Sequence, residues 1–465
     1  MKKLTAQMAT MMFSRFVTLF SSMLSGVIVA RYFGVDVYGI YAIASVFLST
    51  IAIFFDCGFD LAFISMASKD EKNFKYYFGN SLLIKVFAIF IAFIVAIIVP
   101  KFIGYDMEVR KLILLLFVSV LLPTINSTFI TELQIKGKIA WVAIMNIIRS
   151  FLYLGAAIII LIIEGDIYSY CLFQSLAAII IMIIFIIILE DRRIRIKLSL
   201  ILSLLKEVTS FGISTYLHIM YQRIPIMLLT YYAPAVQIGL FDAANRITNS
   251  AYQSISAIEG ATIPAMFKAN NEDKESISPI FVNIITFIGL LAFYVCSTFV
   301  ILGDEIIIFL YGIEYSEAAN IFKILSFSIF ILFFAPAFGS LISASGAIKK
   351  KIKLQIIILI VCIISVFPLV LNLNGVGVAL SNLIVAITTL IVYSLYVCKN
   401  FNINKGDILL VLIKFAICTA LTSVILILLG NTSLHVIVKI IISGIVYIGV
   451  VGIFFRKNIK GVIKG

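Results

Sequence analysis

Apolar runs of about 20 residues recur along the whole chain, separated by short polar breaks, and each is long enough for a helix to cross a bilayer at ~1.5 Å per residue. Their centres fall near residues 20, 50, 89, 122, 151, 179, 220, 252, 291, 331, 362, 387, 418 and 445. This pattern predicts about fourteen transmembrane helices. No break is long enough to hold a soluble domain. The longest, Glu190 to Glu207, is amphipathic and basic and reads as a linker on the cytoplasmic membrane surface. A second amphipathic stretch, Gly303 to Tyr315, is expected to cap the outer end of a helix pair.

Composition turns this pattern into a class. Of 465 residues, 62% are hydrophobic and 13% charged, and the mean hydropathy is +1.16. An average soluble domain is about half apolar and a quarter charged. A soluble enzyme is excluded, and an all-α polytopic membrane protein is expected. The formal net charge of +13 would point to nucleic acid in a soluble protein. Here its placement argues otherwise. Of 36 Lys and Arg, 24 lie in one set of alternate breaks and 4 (Arg31, Lys101, Arg110 and Lys111) in the other. By the positive-inside rule both termini are cytoplasmic and the number of helices is even. No nucleic-acid partner is expected. The six cysteines form no CxxC pair and lie by no histidine cluster, so they read as packing residues. The opening Met1-Lys2-Lys3 and the long apolar stretch after it, with no small-x-small cleavage site before Arg31, fit a retained first helix.

An internal repeat appears at an offset of 200 residues. The segment from Arg31 to Ala44 aligns with Tyr231 to Ala244, with Tyr32/Tyr232, Gly39/Gly239 and Ala44/Ala244 identical and Tyr41/Phe241 alike. Each copy joins the first two helices of a six-helix set, so both copies run the same way through the membrane. That predicts two parallel lobes related by an axis along the membrane normal. The expected division is residues 1–190 for the N-terminal lobe, 191–207 for the linker, 208–398 for the C-terminal lobe, and 399–465 for an appended helix pair with a cytoplasmic tail.

At Ala30-Arg31-Tyr32-Phe33-Gly34-Val35-Asp36-Val37-Tyr38-Gly39-Ile40-Tyr41, followed by Phe55-Asp56-Cys57-Gly58-Phe59-Asp60, the chain resembles the Wzx-type polysaccharide flippases of the MOP exporter superfamily. Gly239-Leu240-Phe241, Ile263-Pro264 and Leu310-Tyr311-Gly312-x-Glu314-Tyr315 look like the matching signatures of the second half. Phe33 and Val35 stand where Leu and Pro are commoner. The likeness runs over most of the first 345 residues. It implies a MATE-like, V-shaped pair of six-helix bundles in the bacterial inner membrane. Such a protein moves an undecaprenyl-pyrophosphate-linked oligosaccharide, such as an O-antigen repeat unit, by alternating access. A polysaccharide polymerase and chain-length machinery would be its working partners.

Cations within the spans are the candidate chemistry, because an unpaired one at the bilayer centre costs ~2.5 to 3.5 kcal/mol on insertion scales. Arg149 and Arg223 lie too deep to reach a headgroup and are expected to line a substrate cavity, the alternative being a buried structural pair. Arg15, Lys85 and Lys323 are weaker candidates for the same role. Arg246 also qualifies, although Asp242 one turn earlier offers it an intrahelical ion pair. Lys414 and Lys439 are expected to snorkel. Among the acids, Asp56, Asp60 and Glu259 either pair with such cations or carry a coupling ion, and Glu132 ends the fourth helix. His218, one turn from Gln222, reads as a neutral hydrogen-bonded histidine rather than a proton carrier. Pro123, Pro225, Pro264, Pro336 and Pro368 lie within spans and suggest kinks.

No nucleophile motif, HExxH, Walker loop or paired-histidine ligand set is present, so neither an enzyme nor a cofactor is expected. Excess deep positive charge suits an anionic lipid-linked substrate. A MATE-like drug or cation antiporter would want carboxylates instead. A polymerase or ligase would want a sizeable outward loop, and the outward segments here are short. A lipid II flippase or a teichuronic-type exporter stays open at this stage, because sugar identity is not legible in the residues.

Overall fold

The computed structural model describes residues 2–56, 58–188, 194–254, 266, 277–430, 432 and 434–455. In chain order its helices are α1 (Lys2–Asp56), α2 (Phe59–Lys69), α3 (Phe74–Ile103), α4 (Met107–Ile135), α5 (Ile139–Ile162), α6 (Ile167–Ile188), α7 (Ile201–Tyr232) and α8 (Ala235–Gln253). They continue as α9 (Ile277–Ile301), α10 (Gly303–Tyr311), α11 (Ala318–Ala344), α12 (Ile348–Asn400), α13 (Lys405–Gly430) and α14 (Val436–Phe454). Among the described residues there is no strand.

Ten helical stretches among the described residues are long and apolar enough to cross a membrane, and α7 adds an eleventh as a pair bent by 61°. Two of the ten, Thr10–Ser68 and Ile348–Asn400, run to 59 and 53 residues. At ~1.5 Å per residue either is more than twice the ~30 Å hydrocarbon core, so each must cross twice. The breaks confirm this. Gly34 (φ 73°) turns the chain within α1, and Asn374 (φ 48°) does so within α12. Both residue types tolerate the left-handed region. The amphipathic α8 carries Asp242, Asn245 and Arg246, which is why it misses a purely apolar criterion. Counted this way the fold has the expected fourteen helices.

The positive-φ breaks inside α1 and α12 thus fall at Gly34 and Asn374, and the bend of α7 falls between Val208 and Ile213, whereas Pro100, Pro123, Pro225, Pro336 and Pro368 lie inside helices without ending them. Large apolar side chains such as Phe90, Ile364 and Ile448 are more than 60% exposed, as a hydrocarbon solvent requires.

The chain divides into two compact units, Met1–Asp242 and Ala243–Gly465. In the first, α1 packs against α4 and α5, α4 against α3 and α6, and α7 against α2. An aromatic core joins Phe63, Phe78, Phe129 and Phe185, with the last two rings stacked at 5.7 Å. The unit runs past the 191–207 linker because the linker is fastened to it. The fully buried Asn80 amide donates to the Lys197 carbonyl at 3.0 Å and accepts from the Lys197 amide at 3.1 Å. A few residues on, the Ser65 hydroxyl donates to Glu207 at 2.6 Å.

In the second unit α11 packs against α9 and α12, and the terminal helices α13 and α14 pack against α9 and each other. Phe415 of α13 stacks on Phe293 at 5.6 Å, and the Tyr294 hydroxyl donates to the Ile440 carbonyl of α14 at 2.6 Å. The short amphipathic α10 contacts α9, α11 and α14.

Candidate functional site

The motifs around Gly39, Gly239 and Tyr311 that carried the resemblance turn out to be joints, while Ile263-Pro264 lies outside the described residues. Gly34 makes the break in α1. Four residues on, Tyr38 is fully buried and its hydroxyl donates to Asp242 at 2.5 Å, while the Tyr41 hydroxyl meets Gln174 at 3.4 Å. A Cβ on Gly39 would sit 2.0 Å from the Ala235 carbonyl oxygen, and one on Gly239 would sit 2.7 Å from that of Val35. These contacts are reciprocal under the repeat: residue 39 meets 235, and residue 239 meets 35. The two copies of the motif therefore cross each other backbone to backbone, about a local two-fold relation. In the second unit the Tyr311 hydroxyl donates to the Ala243 carbonyl at 3.1 Å, and Tyr315, fully buried, rests 5.2 Å from the Tyr311 ring.

The cations within the spans sort into two groups. Lys85 is 1% exposed, and its Nζ is spent on Asp60 at 2.8 Å, the Thr124 carbonyl at 2.9 Å and Ser127 at 2.7 Å. Lys323 holds Asp304 at 2.6 Å. Lys439 was expected to snorkel, but it is 3% exposed and grips both oxygens of Glu305 at 2.9 Å together with the Gly430 carbonyl. The acid sits at the start of α10, which packs on α14 and so offers this lysine a closer partner than the headgroups. Lys414 lies 5.7 Å over the Phe455 ring. Lys85, Lys323 and Lys439 are thus neutralised by acids where they stand, and Lys414 faces an aromatic ring.

The arginines differ. Arg149 is partly buried on α5, makes no ion pair or hydrogen bond with any described residue, and has the Tyr153 hydroxyl as its electrostatic neighbour. Among the described residues Arg223 reaches Ser49, at a long 3.5 Å, and its charge is felt by Asp242. It lines a small cleft between α1 and α7, beside Thr50, Ile53, Phe54, Tyr216 and Met220. Arg15 is exposed on α1, and Arg246 lies on α8 with other partners. His218 bonds through Nδ1 to the Tyr221 hydroxyl and through Nε2 to Gln222 at 3.4 Å. Glu132 holds Lys136 at 2.6 Å. Glu259 and the Asp56 side chain lie outside the described residues. Sequence reasoning missed the unpartnered amide of Asn126, 1% exposed on α4, because a single asparagine in an apolar run carries no pattern.

Residues 28–320 match the family of polysaccharide biosynthesis proteins, well over half of the chain. The chain belongs to this family. No curated protein sequence matches it. Among solved structures, a lipid II flippase MurJ in an inward closed conformation superposes with a TM-score of 0.80 at 17% identity, covering 98% of this chain and 100% of that one. An inward-facing multidrug resistance MATE transporter of the MOP superfamily gives 0.59 at 14% identity over 84% and 94%. A MOP superfamily transporter from Pyrococcus furiosus, described as having a binding pocket of reverse polarity, gives 0.53 at 14% over 84% and 95%. The polysaccharide biosynthesis chain therefore has the MurJ- and MATE-like fold, that of transporters and flippases in a membrane.

Proposed function

We propose that this protein is a flippase that carries an undecaprenyl-pyrophosphate-linked oligosaccharide, an O-antigen or other surface-polysaccharide repeat unit, across the bacterial inner membrane by alternating access. One observation carries the reading. The lysines within the spans are matched to acids or an aromatic ring, whereas Arg149 and Arg223 hold no carboxylate at ion-pair distance among the described residues. Desolvated cations left unmatched by protein are tolerated where water or an anionic ligand completes them. A pyrophosphate supplies that anion, while its lipid tail stays in the bilayer.

On this reading both termini are cytoplasmic and the working parts are two parallel lobes, residues 1–190 and 208–398, with 399–465 appended. Lys85, Arg15, Arg246 and Lys323 are secondary contacts at most, and Asp56, Asp60, Glu259 and His218 serve ion coupling or pairing. A polymerase and chain-length machinery consume the product. The antiporter reading is weaker, because the carboxylates it needs are occupied: Asp60 by Lys85, Asp304 by Lys323, Glu305 by Lys439 and Asp242 by Tyr38.

The test is export of surface glycan by cells carrying Arg149→Ala or Arg223→Ala at unchanged protein abundance. Loss of glycan, with partial rescue by Lys at either position, is expected if charge is what matters. Normal export by both Ala variants refutes the proposal.

A further inference from the structure

Three uncommitted polar groups lie at one level of the first unit, on three helices that pack against one another. They are the Arg149 guanidinium on α5, the Asn126 amide on α4 and the Thr18 hydroxyl on α1. Both the nitrogen and the oxygen of the Asn126 side chain are buried without a hydrogen-bond partner, and so is Thr18 Oγ1. Buried polar groups are nearly always satisfied, and leaving an amide dry costs about 1 to 3 kcal/mol on protein scales. Two such residues on helices that pack beside a half-buried guanidinium without an ion pair among the described residues call for a ligand.

The helix contacts fix their level. The Tyr153 hydroxyl donates to the Ser119 carbonyl at 3.1 Å, which joins α5 to α4. The two helices run antiparallel through the turn at 136–138. From that junction Asn126 is seven residues on, ~20° short of two full rotations and so on the same strip of α4, ~10 Å towards the turn. Arg149 is one turn, ~6 Å, in the same direction, and side chains on a helix lean towards its N-terminus, which for α5 is again towards the turn. On α1, Ser14 donates to the Ala143 carbonyl at 3.2 Å and Ser25 to the Tyr153 carbonyl at 3.5 Å, so α1 and α5 run parallel and in register. Thr18 lies between those two serines, within ~40° of their shared face, and so at the level of Arg149.

We infer that Arg149, Asn126 and Thr18 form one oxyanion slot, in which the guanidinium supplies the charge while the Asn126 N–H and Thr18 O–H donate to the anion's remaining oxygens. All three can donate, and no acid competes within the slot among their described contacts. This rests on the flippase reading and names the recognition elements of its substrate. The oxyanion comes either from the pyrophosphate of the lipid carrier or from a carboxylated sugar.

The experiment uses full-length protein in lipid nanodiscs. Binding of polyprenyl pyrophosphate, which carries no sugar, is measured beside binding of a glucuronate-containing oligosaccharide, which carries no lipid. The variants are Asn126→Leu, Thr18→Val and Thr18→Ser. Because Leu and Val remove dry polar atoms, melting of the unliganded variants should be unchanged or raised. Affinity should fall about tenfold to a hundredfold for whichever probe supplies the oxyanion, the range for a hydrogen bond to a charged group, and Thr18→Ser should restore it. If Leu and Val variants bind both probes like wild type, the slot is wrong, even where Arg149→Ala abolishes export. If Arg149→Ala and Arg223→Ala also export normally, the flippase reading falls with it.

Discussion

Replacing Gly39 by alanine tests the crossing on which the two motif copies meet. The new methyl carbon would lie 2.0 Å from the Ala235 carbonyl oxygen, where ordinary contact begins at 3.4 Å. The shortfall is about 1.4 Å, and the obstacle is backbone, which cannot rotate away. The same change at Gly239 puts Cβ 2.7 Å from the Val35 oxygen, a shortfall of about 0.7 Å. Overpacking of a tight core costs about 1 to 3 kcal/mol. Gly39→Ala should fall at the upper end of that range and Gly239→Ala at the lower. The Tyr38 to Asp242 hydrogen bond, one residue from the clash, should also lengthen. The assay is thermal unfolding of each purified variant in detergent, with Gly155→Ala as control, since a Cβ there meets nothing within 4 Å. Equal melting of wild type and Gly39→Ala, or a larger loss at Gly239 than at Gly39, would refute the reciprocal crossing.

Further expectations concern the neutralised charges. Lys85→Met strands the Asp60 carboxylate and two further acceptors, so it should cost about 3 kcal/mol, near the lower end for breaking a buried pair because Asp60 is 29% exposed; Asp60→Leu with Lys85→Met should recover most of the melting temperature. At the second pair Lys439→Met should destabilise more than Glu305→Gln, since Lys439 is 3% exposed and Glu305 37%, and thermal unfolding of the two variants ranks them. Asp166 caps α6, accepting the Ser169 amide at 2.8 Å, and hydrogen bonds from Ser169 hold its carboxyl below the usual value. Its contribution, about 1 kcal/mol for a cap, is therefore present above the unfolded carboxylate pKa and lost as pH falls through the lower folded value; Asp166→Ala should flatten the acid limb of a stability profile.

Spanning helices were legible because their length is set by the bilayer and their composition by hydrocarbon, and neither depends on neighbours. Gly39 could be located as a repeat position and Gly34 as part of the family-like string, but neither the crossing nor the break could be understood, since a close backbone approach has no sequence period. Lys439 shows where position alone misleads. Its place in the appended helix pair suggested snorkelling, yet an acid at the start of α10, 134 residues earlier, lay within reach. Pairing across helices depends on which faces meet, and hydropathy does not encode that. The same holds for Lys85, whose partners come from α2 and α4.

Motif and chemistry thus occupy different parts of this chain, and the division has a physical basis. The family signatures place glycines and buried tyrosines where backbones cross, as at Gly39, Gly239, Tyr38 and Tyr311. Such joints require atom-level fit and tolerate few residue types, so they leave recognisable strings. Arg149 and Arg223, which hold no carboxylate at ion-pair distance among the described residues, lie outside those strings. A charge that answers an anionic ligand needs only depth, an open side and the absence of a nearby acid, conditions that many sequence positions meet. On the proposed flippase reading, the deep charges left without an acid among the described residues, the guanidinium groups of Arg149 and Arg223, are the ones that would meet an anionic substrate.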